Sequence, residues 1–244
     1  MTARTSLWTA AAVVVLVAVL GLLTAQGIIW PNRVLAARYD VRGVDVSRYQ
    51  GEVDWDVLAE QDLDFAWIKA TEGASHTDEQ FAASWAAATR TELLVGAYHF
   101  MSFESPGADQ AEHLAEVVPA TPGTLPPVID LEFYGAYHDE HPTAQEVHRI
   151  LEPLVAGIEE HYGVLPVVYA TQEAYDLYLA DRYPDLPVWI RSVAWSPRLS
   201  DGRDWTVWQY SNRDRLPGYD GVEPFIDMNV FAGTREELEA LTLP

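Results

Sequence analysis

The chain has 244 residues, of which 49% are hydrophobic, enough for one large core. Acidic residues outnumber basic ones by 37 to 15, and the resulting net charge of -22 repels phosphate backbones, which argues against nucleic-acid binding. There is no cysteine, which excludes disulfides, thiolate metal sites and a cysteine nucleophile within these residues.

The N-terminal residues form a segment of their own. Residues 7–30 contain no charged side chain and are numerous enough to cross a bilayer, which takes about 17–25 apolar residues. Residues 1–30 are therefore predicted to be a transmembrane signal anchor, with the remaining chain outside the cell membrane. A cleaved signal peptide, and hence secretion, is the alternative, because the small residues Ala36 and Ala37 could form a processing site. A count of the flanking arginines favours the opposite orientation, but the chemistry of the following domain argues for export.

The rest of the chain alternates between strand and helix patterns. Residues 31–40 are predicted to be a short tether and residues 41–244 one domain, since no linker or repeat interrupts them. Short apolar runs predict eight strands, at 41–47, 65–71, 94–100, 126–132, 164–171, 187–193, 205–211 and 225–231. Helical patterns follow the first five runs and then give way to loops rich in Pro, Gly, Asp and Asn. This order predicts an α/β fold of the β/α-barrel kind, with an open doubly wound sheet as the alternative.

Polar residues lie at the ends of these predicted strands, where β/α barrels carry their active sites. They are Asp45, Lys69, Glu72, Tyr98, His99, Asp130, Glu132, Tyr169, Gln209, Tyr210, Asp227 and Asn229. Carboxylates in apolar strands are costly to bury unless they are paired or take part in chemistry. Their convergence predicts a polar cleft at one end of the barrel.

Asp130 and Glu132 are the most informative pair. Residues i and i+2 of a strand point to the same face, so both carboxyl groups can face one cleft. Neighbouring negative charges raise at least one pKa, which keeps a carboxyl group protonated near neutral pH, as a general acid for glycosidic cleavage requires. A structural pair is the alternative, but the further strand carboxylates Asp45 and Asp227 favour chemistry.

Other site chemistries find less support in the sequence. Four carboxylates could hold a hard cation, but HExxH, EF-hand and phosphate-loop motifs are missing, so no metal site is predicted. His99 is interpreted as a hydrogen-bonded structural residue, and His138 and His141 as solvated. No G-x-S-x-G elbow supports serine hydrolysis.

Nine tryptophans and twelve tyrosines are available to bind the apolar faces of sugars. Those at predicted strand ends are candidates for the cleft, namely Tyr98, Tyr169, Trp208 and Tyr210. Trp55, Trp67 and Trp85 are predicted to pack in the core.

A series of segments in order along the chain resembles glycoside hydrolase family 25, the Chalaropsis-type lysozymes. The segments are GVDVSRYQGEVDW (43–55), IKATEG (68–73), GAYHF (96–100), PVIDLE (127–132), YGVLPVVYAT (162–171), WTVWQYS (205–211) and FIDMNVF (225–231). The resemblance covers residues 41–233 and implies an irregular TIM-like barrel of five β/α units followed by three strands. It also implies a muramidase that hydrolyses the β-1,4 bond between N-acetylmuramic acid and N-acetylglucosamine in peptidoglycan, with retention of configuration and without a cofactor.

The resemblance also implies roles for individual residues. Glu132 matches the general acid/base, and Asp130 matches its partner, either the nucleophile or the group that orients the substrate's own acetamido oxygen. Asp45 and Asp227 match two further catalytic-site aspartates. The resemblance further implies that Tyr98, Tyr169 and Gln209 are substrate-binding residues in the cleft. Tyr210 and Glu72 are added to them because of their strand-end positions.

Arg191 departs from the family pattern, in which a small residue is common. An arginine bonded to Glu132 would lower the pKa of that carboxyl group and spoil a general acid. Arg191 is therefore predicted to pair with an aspartate such as Asp227, or to lie at the rim of the cleft.

Two other functions remain open at this stage. A D-x-E strand end also occurs in chitinase-like hydrolases and endo-N-acetylglucosaminidases, although the longer acidic run that precedes it there is replaced here by LPPVI. A non-catalytic, membrane-tethered cell-wall-binding protein is the second alternative, but such a protein would be expected to have lost a carboxylate. The predicted partners are peptidoglycan glycan strands and the membrane, through residues 7–30, and the protein is expected to be a monomer.

Overall fold

The structure is a computed structural model that describes residues 3–25 and 29–244. An N-terminal helix, α1 (Ala3–Ala25), precedes a short helix, α2 (Pro31–Ala36). Among the described residues, no helix combines the length and apolar character needed to cross a membrane. The membrane segment predicted over residues 7–30 is thus not supported, and residues 26–28 of it lie outside the described part of the chain.

The remaining helices and strands follow the predicted alternation. In chain order they are β1 (Arg42–Val46), α3 (Trp55–Ala59), β2 (Phe65–Glu72), β3 (His76–Thr77), α4 (Phe81–Ala88), β4 (Leu94–Phe100), α5 (Gly107–Val117), β5 (Val128–Leu131), α6 (Ala144–Tyr162), β6 (Val167–Thr171), α7 (Gln172–Tyr178), β7 (Val188–Arg191), β8 (Val207–Asp214), β9 (Ile226–Phe231) and α8 (Arg235–Glu239).

Eight of the strands close a barrel. β1 pairs in parallel with β2 and antiparallel with β9, so the sheet has no open edge between its first and last strands. The pairings from β2 through β4, β5, β6 and β7 to β8 are parallel, whereas β9 is antiparallel to both of its neighbours. The predicted barrel of five β/α units and three further strands is confirmed, and the doubly wound sheet is excluded by closure. The sequence pattern missed β3, a short hairpin partner of β2, and α8.

Alternation along each strand divides the core into two layers. Outward side chains such as Val44, Ile68 and Val168 pack beneath the helices, while inward side chains such as Phe65, Trp67 and Trp189 fill the barrel. The indole rings of Trp67 and Trp189 stack at 4.9 Å between centroids. Gly96 makes room for this stack, because a Cβ there would lie 2.3 Å from Nε1 of Trp67. The aromatic layer forms the floor beneath the polar residues at the strand ends.

The segment predicted as a tether lies against the barrel. The Asn32 side chain is fully buried, and Ala36 is buried in the outer core. Tyr39 packs edge-on against Trp205 and Trp208, with ring centroids 5.2 and 6.3 Å apart. Residues 30–39 are therefore part of the packed structure.

Candidate active site

A cleft of about 860 Å³ opens at the carboxyl ends of the parallel strands. Beneath it lies an inner pocket of about 100 Å³. The residues that line both are the four carboxylates and three polar residues predicted from the sequence, namely Asp45, Asp130, Glu132, Asp227, Tyr98, Tyr169 and Gln209. Glu72 lines the cleft only. The structure thus brings eight of the nine predicted site residues to one mouth of the barrel.

Strand register places the site residues around this mouth. Asp45 of β1 lies opposite Asp227 of β9, and Asp130 of β5 lies beside Tyr169 of β6. Gln209 of β8 lies between Arg191 on one side and Asn229 on the other. Each of these side chains points into the barrel. Side chains that are far apart in sequence therefore lie close together at the strand ends.

Asp45 is held by donors from two other strands. Its Oδ2 accepts hydrogen bonds from Nε2 of Gln209 at 2.9 Å and from Nδ2 of Asn229 at 2.8 Å. The hydroxyl of Tyr169 donates to Oε1 of Gln209, and the indole of Trp189 donates to Oδ1 of Asn229, which fixes both amides. Burial raises the pKa of Asp45, while these hydrogen bonds oppose the rise.

Asp130 is less well satisfied. Its side chain is buried, and no donor from the described residues reaches Oδ1. Burial and then the charge of Glu132 raise the pKa of Asp130 well above its usual range. A buried carboxylate oxygen without a donor is costly, so this atom is suited to receive a donor from a ligand.

Glu132 follows the last residue of β5 and is less buried than Asp130. Burial raises the pKa of Glu132, although the positive charge of Arg191 partly counteracts the rise. Burial and the charge of Asp45 likewise raise the pKa of Asp227 well above its usual range. The surroundings therefore favour the protonated form of these carboxyl groups, the form that proton donation to a leaving group requires.

A lysine supplies positive charge on the other side. Nζ of Lys69 lies 2.8 Å from Oε2 of Glu72 and above the ring of Phe100. Burial alone would raise the pKa of Glu72, but the hydrogen bond and charge of Lys69 outweigh it and the pKa falls. Glu72 is thus paired with Lys69, and its pKa is shifted in the opposite direction to the pKa values of the carboxyl groups in the inner pocket.

Arg191 lines the cleft but does not bond to Glu132. Within the described residues it forms no ion pair with any carboxylate, so of the two predicted alternatives the position at the cleft is the one observed. Its charge still lowers the pKa of Glu132 and opposes the raised pKa of Asp227. Arg191 acts on the carboxylates through space.

Tyr210 does not line the cleft, and neither does Trp208. Gln209 points inward, so its two neighbours on β8 point outward, where Trp208 and Tyr210 pack against each other in the outer core. The structure corrects the prediction that Tyr210 binds substrate. The prediction failed because residues adjacent at a strand end were assigned to the same face.

The histidines are mostly as expected. His99 is buried between Thr71 and Gln110, at 2.8 and 2.9 Å, and burial lowers the pKa of its imidazole to about 4. His138 is exposed but lines the cleft, a position that its acidic sequence context did not reveal. Asn229 and Lys69 are further site residues without a predicted role, and their strand-end positions were the signal for them in the sequence.

Comparisons with known proteins agree with this geometry. The family model described as Glycosyl hydrolases family 25 matches residues 44–219. Lysozyme M1 of Streptomyces globisporus is 30% identical over 215 residues, which cover 82% of this chain and 71% of that protein. A solved family 25 glycosyl hydrolase from Bacillus anthracis superposes with a TM-score of 0.80 at 50% identity, over 83% of this chain and 94% of that chain. A bacterial lysozyme from Streptomyces coelicolor has a TM-score of 0.74 at 28% identity, over 82% and 96% of the two chains. The chain therefore belongs to glycosyl hydrolase family 25.

Proposed function

We propose that the protein is a lysozyme-type muramidase that hydrolyses the β-1,4 bond between N-acetylmuramic acid and N-acetylglucosamine in peptidoglycan, with Glu132 as the general acid/base. The observation that carries the proposal is the convergence of Asp45, Asp130, Glu132 and Asp227 on one inner pocket below an open cleft. An open cleft admits a glycan strand, and the pocket at its base receives one substituent of a sugar.

The inner pocket favours a reaction in which the substrate supplies its own nucleophile. Its volume of about 100 Å³ accommodates an acetamido group beneath the sugar ring. The N–H of that group would donate to Oδ1 of Asp130, the buried oxygen that no described residue satisfies. This hydrogen bond stabilises ionised Asp130 and leaves the proton of the coupled pair on Glu132.

Cleavage then follows in two steps. Glu132 donates its proton to the glycosidic oxygen as the C1–O bond breaks, while the acetamido oxygen forms a bond to C1 on the opposite face. A water molecule next attacks C1, loses a proton to Glu132 and displaces the acetamido oxygen. Two inversions at C1 give net retention.

The test is digestion of purified peptidoglycan by the full chain, with Glu132→Gln as the matched control. Products are reduced with borohydride and their sugar ends identified by mass spectrometry, while the anomer first formed is assigned by NMR. Reduced muramic acid ends and retained configuration from the wild type alone support the proposal. Reduced glucosamine ends would assign the cleavage to the other bond, as in an endo-N-acetylglucosaminidase, and binding without release would indicate a wall-binding protein.

The proposed substrate also requires export, since peptidoglycan lies outside the cell membrane. Residues 1–30 are proposed to direct export. Protease treatment of intact cells tests the location: the domain is degraded if it is outside and attached, is found in the medium if it is secreted, and is protected if the proposal is wrong.

A further inference from the structure

The chain immediately before the barrel contacts the outer side of the active-site mouth. We call residues Trp30–Arg33 the strap. The indole Nε1 of Trp30 donates to the carbonyl of Tyr210 at 3.0 Å. The fully buried Asn32 side chain donates through Nδ2 to the carbonyls of Ser192 at 2.8 Å and of Tyr210 at 3.2 Å. These bonds join residues about 160–180 positions apart in sequence and fasten the strap across β7 and β8.

The strap binds where the barrel ladder is irregular. The pairing of β8 with β9 changes register between Gln209 and Ser211, which is a β-bulge at Tyr210. A bulge leaves one residue out of the regular ladder, so its backbone groups need other partners. Trp30 and Asn32 supply two donors to the carbonyl of Tyr210. The strap therefore stabilises the bulge that directly follows Gln209, the inward-pointing residue of β8.

Both bound carbonyls directly follow a cleft residue. Ser192 follows Arg191, and Tyr210 follows Gln209, which bonds to Asp45. The Ser192 carbonyl also accepts from the indole of Trp208 at 2.9 Å, and its N–H donates to the Gln209 carbonyl at 3.1 Å. Arg191 has no ion pair of its own among the described residues. Its position therefore depends on the hydrogen bonds made by the main chain of Ser192.

We propose that Trp30 and Asn32 are positioning residues of the active site, which hold Arg191 in place from outside the barrel. The kinetic part of this inference rests on the proposed function, whereas its geometric part does not. Loss of the strap lets the ends of β7 and β8 relax outward, and Arg191 moves away from the carboxylates.

The consequence is a change in the proton affinity of Glu132. Charged and titratable groups face Glu132 from six strands and the turn after β5, namely Asp45, Lys69, Asp130, Tyr169, Arg191, Asp227 and His138. Of the positive charges, Arg191 has the largest lowering effect on the pKa of Glu132. If Arg191 withdraws, the pKa of Glu132 rises, and the alkaline limb of activity moves to higher pH because the general acid keeps its proton longer.

The test compares two strap variants with a surface control in the full chain. Trp30→Phe removes one N–H and keeps a ring, Asn32→Ala removes both amide donors, and Val34→Ser alters a side chain of α2 that is 79% exposed. The pKa of the Glu132 carboxyl is followed by carbon NMR titration, and kcat/KM for peptidoglycan is measured as a function of pH. The strap variants are expected to raise the pKa of Glu132 and lower kcat/KM about tenfold, since misplacement of active-site groups by 1 Å costs up to about 100-fold. The control stays at the wild-type values.

The same measurements separate the possible failures. An unchanged Glu132 titration in folded Trp30→Phe and Asn32→Ala would overturn the inference, as would a loss of activity that is uniform across pH. If Asn32→Ala does not fold, the more conservative Trp30→Phe decides. If the wild type cleaves no peptidoglycan, the proposed function fails, but the NMR titration still tests the strap. In an Arg191→Gln background the strap variants should no longer shift the pKa of Glu132. A shift that persists would contradict the inference that the strap acts on Glu132 through Arg191.

Discussion

Two pairs of carboxylates share the mouth of the barrel, and their surroundings differ. Asp45, which lies opposite Asp227, is held by hydrogen bonds from Gln209 and Asn229. Asp130, which precedes Glu132 by two residues, has a buried oxygen that no described residue satisfies. The first pair is organised by the protein itself, whereas the second leaves hydrogen-bonding capacity for a ligand. The comparison indicates that Asp130 and Glu132 are available to react with a ligand. Asp45 and Asp227 contribute to the electrostatic potential around them.

The strongest test of this contrast is Glu132→Gln. The amide keeps the size of the side chain but cannot donate and recover a proton, so kcat should fall by about 100- to 10,000-fold, the usual contribution of general acid–base catalysis. Substrate binding should remain, which a pull-down with insoluble peptidoglycan measures. A variant with more than a tenth of wild-type activity would contradict the role of Glu132.

Asp130→Asn is expected to have the next largest effect on activity. The amide cannot accept in the same way from an acetamido N–H and cannot share a proton with Glu132, so kcat should fall about 100-fold, as for loss of one preorganised polar group. The direct nucleophile and the substrate-assisted route are distinguished by a substrate whose acetamido group is replaced by hydroxyl. That substrate is cleaved by the wild type only if Asp130 itself attacks C1.

Asp130→Asn should lower activity but raise the stability of the folded protein at neutral pH. Burial raises the pKa of Asp130 in the folded state, so folded protein binds more protons than unfolded protein above about pH 4. Wild-type stability from this group therefore falls as pH rises from about 4 toward the folded pKa. Asp130→Asn removes this dependence and should raise Tm at pH 7 by about 2–8 °C, since about 1 kcal/mol shifts Tm by 2–4 °C at this size. An equal Tm difference at pH 4 and pH 7 would show that charge burial is not the cause.

Asn229→Ala tests the pair that the protein organises. Its loss removes the strongest hydrogen bond that opposes the raised pKa of Asp45, so Asp45 holds its proton to higher pH. A neutral Asp45 no longer raises the pKa of Glu132, and the alkaline limb of activity moves to lower pH. We expect kcat/KM to fall about tenfold, for one lost buried hydrogen bond worth about 1.5 kcal/mol. This pH shift is opposite to that expected for the strap variants, and a shift in the same direction would contradict one of the two arguments.

The sequence predicted those features that depend on local pattern. Short apolar runs located all eight barrel strands, and the D-x-E strand end placed Asp130 and Glu132 on one face. Features set by packing across the barrel were not predictable in this way. Arg191 has no ion pair among the described residues, which depends on distances between strands. Trp30 and Asn32 dock on a bulge more than 170 residues away. The composition of residues 30–39 does not separate a free tether from a packed segment, and the contacts of Trp30, Asn32 and Tyr39 with the barrel do.

Tyr210→Phe should have the smallest effect, and it tests the inward and outward assignment of β8. Tyr210 was predicted from its strand-end position to bind substrate, yet its ring lies in the outer core and is 6% exposed. Removal of an outward hydroxyl leaves the cleft unchanged, so kcat/KM should stay within about twofold of wild type, within the range expected for a change away from the site. Gln209→Leu, one residue earlier and inward, is the matched comparison and should lose activity, because Asp45 then loses a donor. Equal losses of kcat/KM in the two variants would mean that both side chains of β8 face the substrate. The alternation of inward and outward side chains, by which the site residues are assigned to the cleft, would then not hold for β8.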